Sequence, residues 1–342
     1  METTAIFCPI VPPHILDSLA QSEDSAVSAL AQRTLERDSL LRTQPRAGAV
    51  APAGTPSDQP QRTIYDAAQQ DTLPGREVLA ESGPRPKDQT VNRAYAGLGT
   101  TFDFYFKAYG RHSIDDSGLP LDATVHYGDQ YGNAFWNGRQ MVIGDGLGDI
   151  IGDFTVPVDV IGYALTHGVT QYSANLEYSG QSGALKESIS DIFGSLIKQH
   201  ALGQTAKQAD WLIGAGLFGP ATALRSLEAP GTAYDHPDLG TDPQRATMDD
   251  YVQTKGDNGG VHINSGIPNH AFYLLATALG DHAWERAGKI WYATLTGGKL
   301  AADAGFADFA RLTSATAKTL YGDGDVIRAL HKAWSTVGIP AE

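Results

Sequence analysis

The chain has 342 residues, 42% of them hydrophobic and 19% charged, with a formal net charge of −14. That length leaves room for two or more domains with cores of their own, and the composition is that of a globular protein. The acidic balance argues against nucleic acid or an anionic membrane surface as partner, and no apolar run approaches the roughly 20 residues of a membrane span.

The first residues, METTAIFCPIVPPHIL, have no basic region and carry prolines where a signal peptide needs an apolar helix. A cytoplasmic location is the default expectation, with export by a route without a signal peptide left open. Cys8 is the single cysteine, which rules out an intramolecular disulfide. From Ile15 to Leu41, apolar Leu16, Leu19, Val27, Leu30, Leu35 and Leu40 stand in a polar background, which predicts one or two helices. Arg42 to Gln61, RTQPRAGAVAPAGTPSDQPQ, is rich in Pro, Ala and Gly and reads as an exposed linker open to proteolysis.

From Thr63 to about Pro157 the texture is mixed α/β. TFDFYFKAYG sets Phe102, Phe104 and Phe106 on alternate positions, and LDATVHYG and GRQMVIGDG read as strands bounded by glycine. Val156 to Tyr172, VPVDVIGYALTHGVTQY, repeats Val158, Ile161, Leu165 and Val169 at helical spacing. Gly183 to Ala201 gives a second amphipathic helix, with Leu185, Ile189, Ile192, Phe193, Leu196 and Ile197 inward. Beyond a Gly/Pro/Asp-rich loop region from Gly203 to Gly260, the remainder is mostly helical, with glycines at or near the helix ends. The expected architecture is a β-containing N-terminal half and a helical C-terminal half, with the Val158 helix at the junction, a common place for a cleft.

That helix carries part of a zinc-peptidase pattern. In H-E-x-x-H two histidines at i and i+4 share a helix face and bind zinc, and the glutamate between them serves as general base. Here the run is Tyr163-Ala164-Leu165-Thr166-His167. His167 alone is a weak signal, because a lone histidine in an amphipathic helix is more often structural. Glu187 lies near the start of the next helix, where a two-histidine zinc site takes its carboxylate ligand. Asp191, one turn further, is placed to hold His167 by its other ring nitrogen; the alternative is a surface acidic pair. In GDNGGVHINSGIPNH, Gly259 and Gly260 let the backbone approach closely, and His262 could donate to a developing oxyanion with Asp257 to orient it. By itself His262 reads as a loop histidine. In GNAFWNGRQM, an edge strand would offer the backbone and amide groups of Asn133, Ala134 and Trp136 to an extended peptide. The alternative is an ordinary strand with a core tryptophan.

Taken in order, VHYGDQYGNAFWNGRQMVIGDG, DVIGYALTHGVTQYSANLEY, SGALKESISDIFG, DNGGVHINSGIPNHAFY and AGKIWYATLT resemble the thermolysin-like zinc endopeptidases, over essentially everything after Thr63. Pro12-Pro13 followed by His14-Ile15-Leu16 resembles the short precursor segment of the protealysin-like subgroup, which covers the active-site cleft until it is cut away, here before Thr63. The resemblance implies an α+β, thermolysin-like two-lobed peptidase. Residues 1–61 would be precursor segment and linker, 62–176 the N-terminal lobe with the zinc helix, and 177–342 the helical C-terminal lobe. It implies zinc held by His167, Glu187 and the histidine that Tyr163 replaces, with Asp191 behind them. His262, Asp257 and Tyr178 match the transition-state group, Asn133 and Ala134 the substrate-backbone binders, and Arg225 the arginine that grips the substrate carbonyl. Substrates would be peptides or proteins with a bulky apolar residue just after the cut bond, and the enzyme a monomer. Asp159 matches a calcium ligand. Lys198 stands where a calcium-binding glutamate would be, so the paired calcium site is expected to be lost, with the ammonium replacing one calcium charge.

Two residues of the pattern are exchanged. Ala164 has no proton acceptor, and loss of a general base costs about 10²–10⁴-fold. A phenol, with an ordinary pKa of about 10, could bind zinc only as tyrosinate and in a shifted geometry. The chain is therefore expected to bind zinc poorly and to be inactive or nearly so. Because His262, Glu187, Asp191 and Arg225 are intact, three readings follow: an altered form of a working peptidase that cannot cut itself, a recent pseudoenzyme that binds peptides, or a tyrosinate–zinc site of slight activity. Cys8 adds one more candidate, a precursor thiolate in the open zinc position, against the blander reading of a free thiol near the terminus.

Overall fold

A computed structural model describes residues 6–43, 55–219 and 222–341; the expected linker falls largely outside them, at 44–54. The N-terminal segment contributes a short strand, Cys8–Pro9 (β1), and two helices, Pro13–Leu19 (α1) and Ser25–Thr43 (α2). Proline opens α1, where its missing N–H is not needed. The inner face of α2 differs from the expected one: Ala31, Thr34, Asp38 and Leu41 are buried, whereas Leu40 is 60% exposed. This helix docks partly through polar side chains, so its apolar spacing did not mark the face it buries.

A six-stranded sheet follows, built from β1 with Arg62–Asp66 (β2), Arg76–Ala80 (β3), Leu121–Val125 (β4), Ala134–Trp136 (β5) and Met141–Ile143 (β6), in the order β1-β5-β6-β4-β2-β3. The β6, β4 and β2 strands run parallel, and the outer pairings are antiparallel. Gln89–Tyr109 (α3) packs on this sheet, started by the Asp88 side chain accepting the N–H groups of Thr90 and Val91 and ended by Gly110 at φ 69°. The alternating phenylalanines lie in this helix. Phe102 stacks on Phe106 one turn on, while Phe104 meets Phe193 edge-on.

Val158–Gln171 (α4) and Gly180–Leu202 (α5) form the spine of the molecule, and α4 is buried without interruption from Asp159 to Thr170. Two glycines let them touch. A Cβ on Gly194 would come 2.7 Å from the Asp159 carbonyl, and one on Gly162 would come 2.7 Å from Ile197. The backbone contact at Gly194 leaves no room for a side chain, one at Gly162 would have to displace Ile197, and the close crossing sets the Tyr163–His167 face of α4 against Glu187.

The C-terminal half begins with two short ribbons, Leu212–Ile213 (β7) with Arg225–Ser226 (β8), and Asp235–His236 (β9) with Gly240–Thr241 (β10). Five helices complete it: Asp257–Asn264 (α6), Gly266–Leu279 (α7), Ala287–Thr296 (α8), Phe306–Tyr321 (α9) and Asp325–Thr336 (α10). Trp291 stacks on Trp334, with Phe309 edge-on to both. One continuous apolar cluster joins both halves and takes in Ile10, Val11, Ile15, Leu16 and Leu19 of the N-terminal segment. No described helix is long and apolar enough to cross a membrane.

Candidate active site

The cleft edge is already occupied. β1 lies antiparallel to β5, with Cys8 opposite Trp136 and Pro9 opposite Phe135. The Ile10 N–H donates to the Ala134 carbonyl at 2.9 Å, and the Val11 N–H to Asn133 Oδ1 at 3.0 Å. Asn133 Nδ2 donates back to the Val11 carbonyl at 3.2 Å, and Arg225 Nη1 to the Ile10 carbonyl at 3.1 Å. Asn133, Ala134 and Arg225 thus converge on the backbone of two successive residues. Trp136 takes part only through its backbone. Its ring is buried, and Nε1–H donates to Gln171 at the end of α4 at 2.9 Å.

The Pro9 carbonyl points into the centre. It accepts from the Tyr163 hydroxyl at 3.0 Å and lies 3.2 Å from His262 Nε2. His262 Nδ1 is 2.7 Å from Asp257 Oδ1, and Asp257 Oδ2 accepts the His262 backbone N–H at 2.9 Å. A left-handed run makes this pairing: Asn258, Gly259 and Gly260 have φ of 51°, 90° and 76°. A Cβ on Gly259 would also stand 3.0 Å from the Gly180 nitrogen, so glycine is required there. Burial works against the charged imidazole, but attraction by Asp257 and Glu187 outweighs it and His262 is raised above its ordinary value. Burial likewise works against the Asp257 carboxylate, and His262 outweighs it, holding Asp257 below the usual range.

The Tyr163 hydroxyl is shared, since it also makes a short hydrogen bond to Glu187 Oε2. Burial first, and then the Glu187 charge, pushes this phenol well above its ordinary range, so it keeps its proton. Ala164 is buried beside it. His167 Nε2 faces Glu187 Oε1 at 3.6 Å, too long for a hydrogen bond, and neither atom nor His167 Nδ1 has a hydrogen-bond partner among the described residues. Burial, with Lys186, His262 and Arg225 nearby, pushes His167 well below its ordinary value. Tyr178 meets the His167 ring edge-on, with centroids 6.5 Å apart.

Asp191 does not hold His167. Its two oxygens each accept from Arg225 Nε at 2.9 Å, Oδ1 also meets Nη2 at 2.8 Å, and Oδ2 accepts from Asn269 Nδ2 at 2.9 Å. The guanidinium fork lies 5.2 Å from the Tyr163 ring centroid and makes a stronger partner for the carboxylate than an imidazole would. Three polar residues around the site carry no motif that could have announced them: Asn269, Lys186, buried next to Glu187, and Asp38, which accepts from Asn133 Nδ2 at 3.1 Å.

A catalytic zinc site needs three protein ligands and an open position. His167 and Glu187 supply two, and the third place holds a protonated phenol bonded to one of them. No group of three or more His, Cys, Asp or Glu side chains among the described residues could hold a metal ion. The residues present do not fit zinc. Cys8 does not complete the set: it stands opposite Trp136 on the edge strand and belongs to no group of three possible ligands among the described residues, and burial pushes its free thiol up to about 12. Asp159 is also engaged. Its Oδ2 lies 2.8 Å from Lys198 Nζ, which is 2.8 Å from Asp210 Oδ1 and donates to the Leu212 carbonyl at 2.7 Å. The ammonium thus has three oxygens within 2.8 Å, two of them carboxylate.

Residues 57–171 match the thermolysin metallopeptidase catalytic domain, and residues 174–339 its α-helical domain. The chain belongs to the thermolysin metallopeptidase family. An extracellular metalloprotease of Pectobacterium carotovorum subsp. carotovorum is 48% identical over 335 residues, 97% of this chain and 96% of that protein. An extracellular minor metalloprotease of Serratia marcescens is 40% identical over 295 residues, 81% of this chain and 79% of the relative. The solved precursor of protealysin, a metalloproteinase from Serratia proteamaculans, superposes with a TM-score of 0.89 at 49% identity, covering 97% of this chain and 99% of that one. The α+β two-lobed fold is therefore the family's, and the family is one of zinc-dependent metalloendopeptidases that act on peptides. The relatives' names correct one expectation. Two of them are called extracellular, which points to secretion and overturns the cytoplasmic location.

Proposed function

We propose that this chain is the precursor form of a thermolysin-family endopeptidase with a disabled reaction centre, so that it binds peptides in the family's cleft without cutting them. One observation carries this reading: the Tyr163 hydroxyl sits between the Pro9 carbonyl, at 3.0 Å, and the Glu187 carboxylate. A hydrogen-bond donor there meets a peptide carbonyl in place of a metal. Asn133, Ala134 and Arg225 hold the backbone on the far side of the central bond, and His262, aligned by Asp257, faces its carbonyl with Tyr178 nearby. Ile10 marks the position where a bulky apolar residue is preferred. Nothing at Ala164 accepts a proton from water, a loss of about 10²–10⁴-fold by itself. The protonated state of Tyr163 disfavours a tyrosinate ligand.

Residues 1–61 then act as the inhibitory precursor segment and linker, 62–176 and 177–342 as the two lobes, and the protein works as a monomer. Zinc binding is weak, and calcium is not held at Asp159, where Lys198 supplies the charge. The test is the full chain carrying Tyr163→His with Ala164→Glu. It should take up one zinc, cleave a peptide with an apolar residue after the bond, and trim its own N-terminal segment. A revertant that folds and stays inert would remove the disabled-peptidase reading and leave a peptide-binding protein of the same fold, which the intact backbone-gripping set favours. Stoichiometric zinc in the unaltered chain would overturn both.

A further inference from the structure

The N-terminal segment is held at a second place, away from the reaction centre. α2 lies over the turn before β5 and buries Thr34 and Asp38 there. Thr34 Oγ1 accepts the Gly132 N–H at 3.1 Å. Asp38 Oδ2 accepts from Asn133 Nδ2 at 3.1 Å, and Oδ1 takes a short hydrogen bond from the Tyr131 hydroxyl. The same Asn133 amide bonds both backbone groups of Val11. One side chain therefore joins α2 to the strand in the cleft.

We propose that Asp38 is a charge-gated latch: as a neutral carboxyl seated on Tyr131 and Asn133 it keeps α2 and the cleft strand docked, and as a carboxylate it loosens both. In the neutral form its O–H donates to the Tyr131 oxygen while the other oxygen keeps the Asn133 bond. The charged form must shed water for a dry seat, which costs more than its two hydrogen bonds return. Burial raises Asp38 to about 6 from an ordinary 3.8, against the pull of Tyr131, Arg42 and Asn133. Tyr127 also faces the seat from the sheet side, and the Arg37–Asp71 ion pair stands at its rim. Because the docked value is the higher one, docking is strongest below about pH 4, weakens as pH rises through about 6, and is level beyond. A difference of two units is about 100-fold in the docking equilibrium.

His14 works in the opposite sense. Its Nε2 is 2.7 Å from the Tyr234 hydroxyl, and burial, then His262, lower it to about 4, so it favours docking at higher pH. The raw profile of the chain mixes the two, and the test must separate them. The latch concerns only the docking of residues 6–43 and stands whether or not the reaction centre is disabled.

Amide exchange at Ile10 and Val11 in the full chain, corrected for intrinsic rate, reports opening of the cleft strand. The ratio of protection in Asp38→Asn to that in the unaltered chain cancels every shared group, and asparagine keeps the neutral pattern of hydrogen bonds. This ratio should rise by up to about 100-fold from about pH 4 to 6.5. His14→Gln should give a ratio that moves the other way, and Thr34→Ala one that stays level. A level or falling ratio for Asp38→Asn overturns the latch. Should that variant lose protection throughout α5 and so fail to fold, His14→Gln answers alone. Its own protection must fall as pH rises over the same window, and a level profile overturns the latch.

Discussion

Lys198 and Glu187 lie about three turns apart on α5, and the polar clusters around them are in opposite states. At Lys198 the ammonium lies within 2.8 Å of one oxygen each from Asp159, Asp210 and Leu212, so its charge is matched by two carboxylates. At Glu187 the pairing is incomplete: Glu187 Oε1 and both nitrogens of His167 are buried without a hydrogen-bond partner among the described residues. One cluster sets an ammonium between two carboxylates. The other brings His167, Glu187, His262 and Asp257 together around Tyr163, and it is the cluster on which the proposed loss of activity turns.

The contrast breaks most sharply at Tyr163. Tyr163→His alone should take the chain from no stoichiometric zinc to one zinc per chain, by returning the third ligand, and should not restore hydrolysis while Ala164 lacks a base. Ala164→Glu alone should leave zinc uptake as it was. Metal analysis after dialysis reads the first variant and peptide hydrolysis both. Failure of Tyr163→His to gain zinc would place the fault deeper, in the unsupported His167.

Lys198→Met attacks the closed cluster instead. It leaves Asp159, whose side chain is 1% exposed, without its counter-charge. Breaking a buried pair in this way costs about 3–5 kcal/mol, and partial access of water to Lys198 places the loss near 3 kcal/mol. Denaturant unfolding measures it, and a chelator should leave the midpoint of the unaltered chain where it was. Tyr163→Phe is milder. It removes a donor from Glu187 and from the Pro9 carbonyl, for a loss of about 1–3 kcal/mol, read as weaker exchange protection at Ile10 than in the unaltered chain.

What could be read from the sequence follows the same division. α4 and α5 are legible because their inner faces are apolar at helical spacing, and His167, Glu187, Asp257 and His262 stand out only together, through the family resemblance, each being a weak signal alone. α2 was legible as a helix but its docking face was not, because half of its buried face is polar and the partner of Asp38, Asn133, lies 95 residues away. Asp191 was placed on the right helix and given the wrong partner. Its choice depends on Arg225, 34 residues on, whose fork claims both oxygens. In α3 the period was blurred because Phe102 and Phe104 are both buried, on different sides of the helix.

A second charge-paired cation, His126, tests how far the lesson of Lys198 extends toward the surface. His126 Nδ1 is 2.6 Å from Asp145 Oδ1 and its Nε2 is 3.0 Å from Asp88 Oδ2, which ties the cap of α3 to the loop after β6. The Asp145 hydrogen bond, with help from Asp88 and against burial, raises the imidazole to about 9. A folded value above the ordinary 6.5 means that the clip contributes fully below about pH 6.5 and is lost as pH rises through 9. The histidine side chain is 23% exposed and that of Asp88 40%, so solvent screening cuts the contribution to about 1 kcal/mol. Stability of the unaltered chain should fall by about that amount between pH 6.5 and 9, and His126→Gln should remove that part of the slope. Equal slopes in the two chains would mean that pairing a charge matters here only where water is excluded, as it is around Asp159.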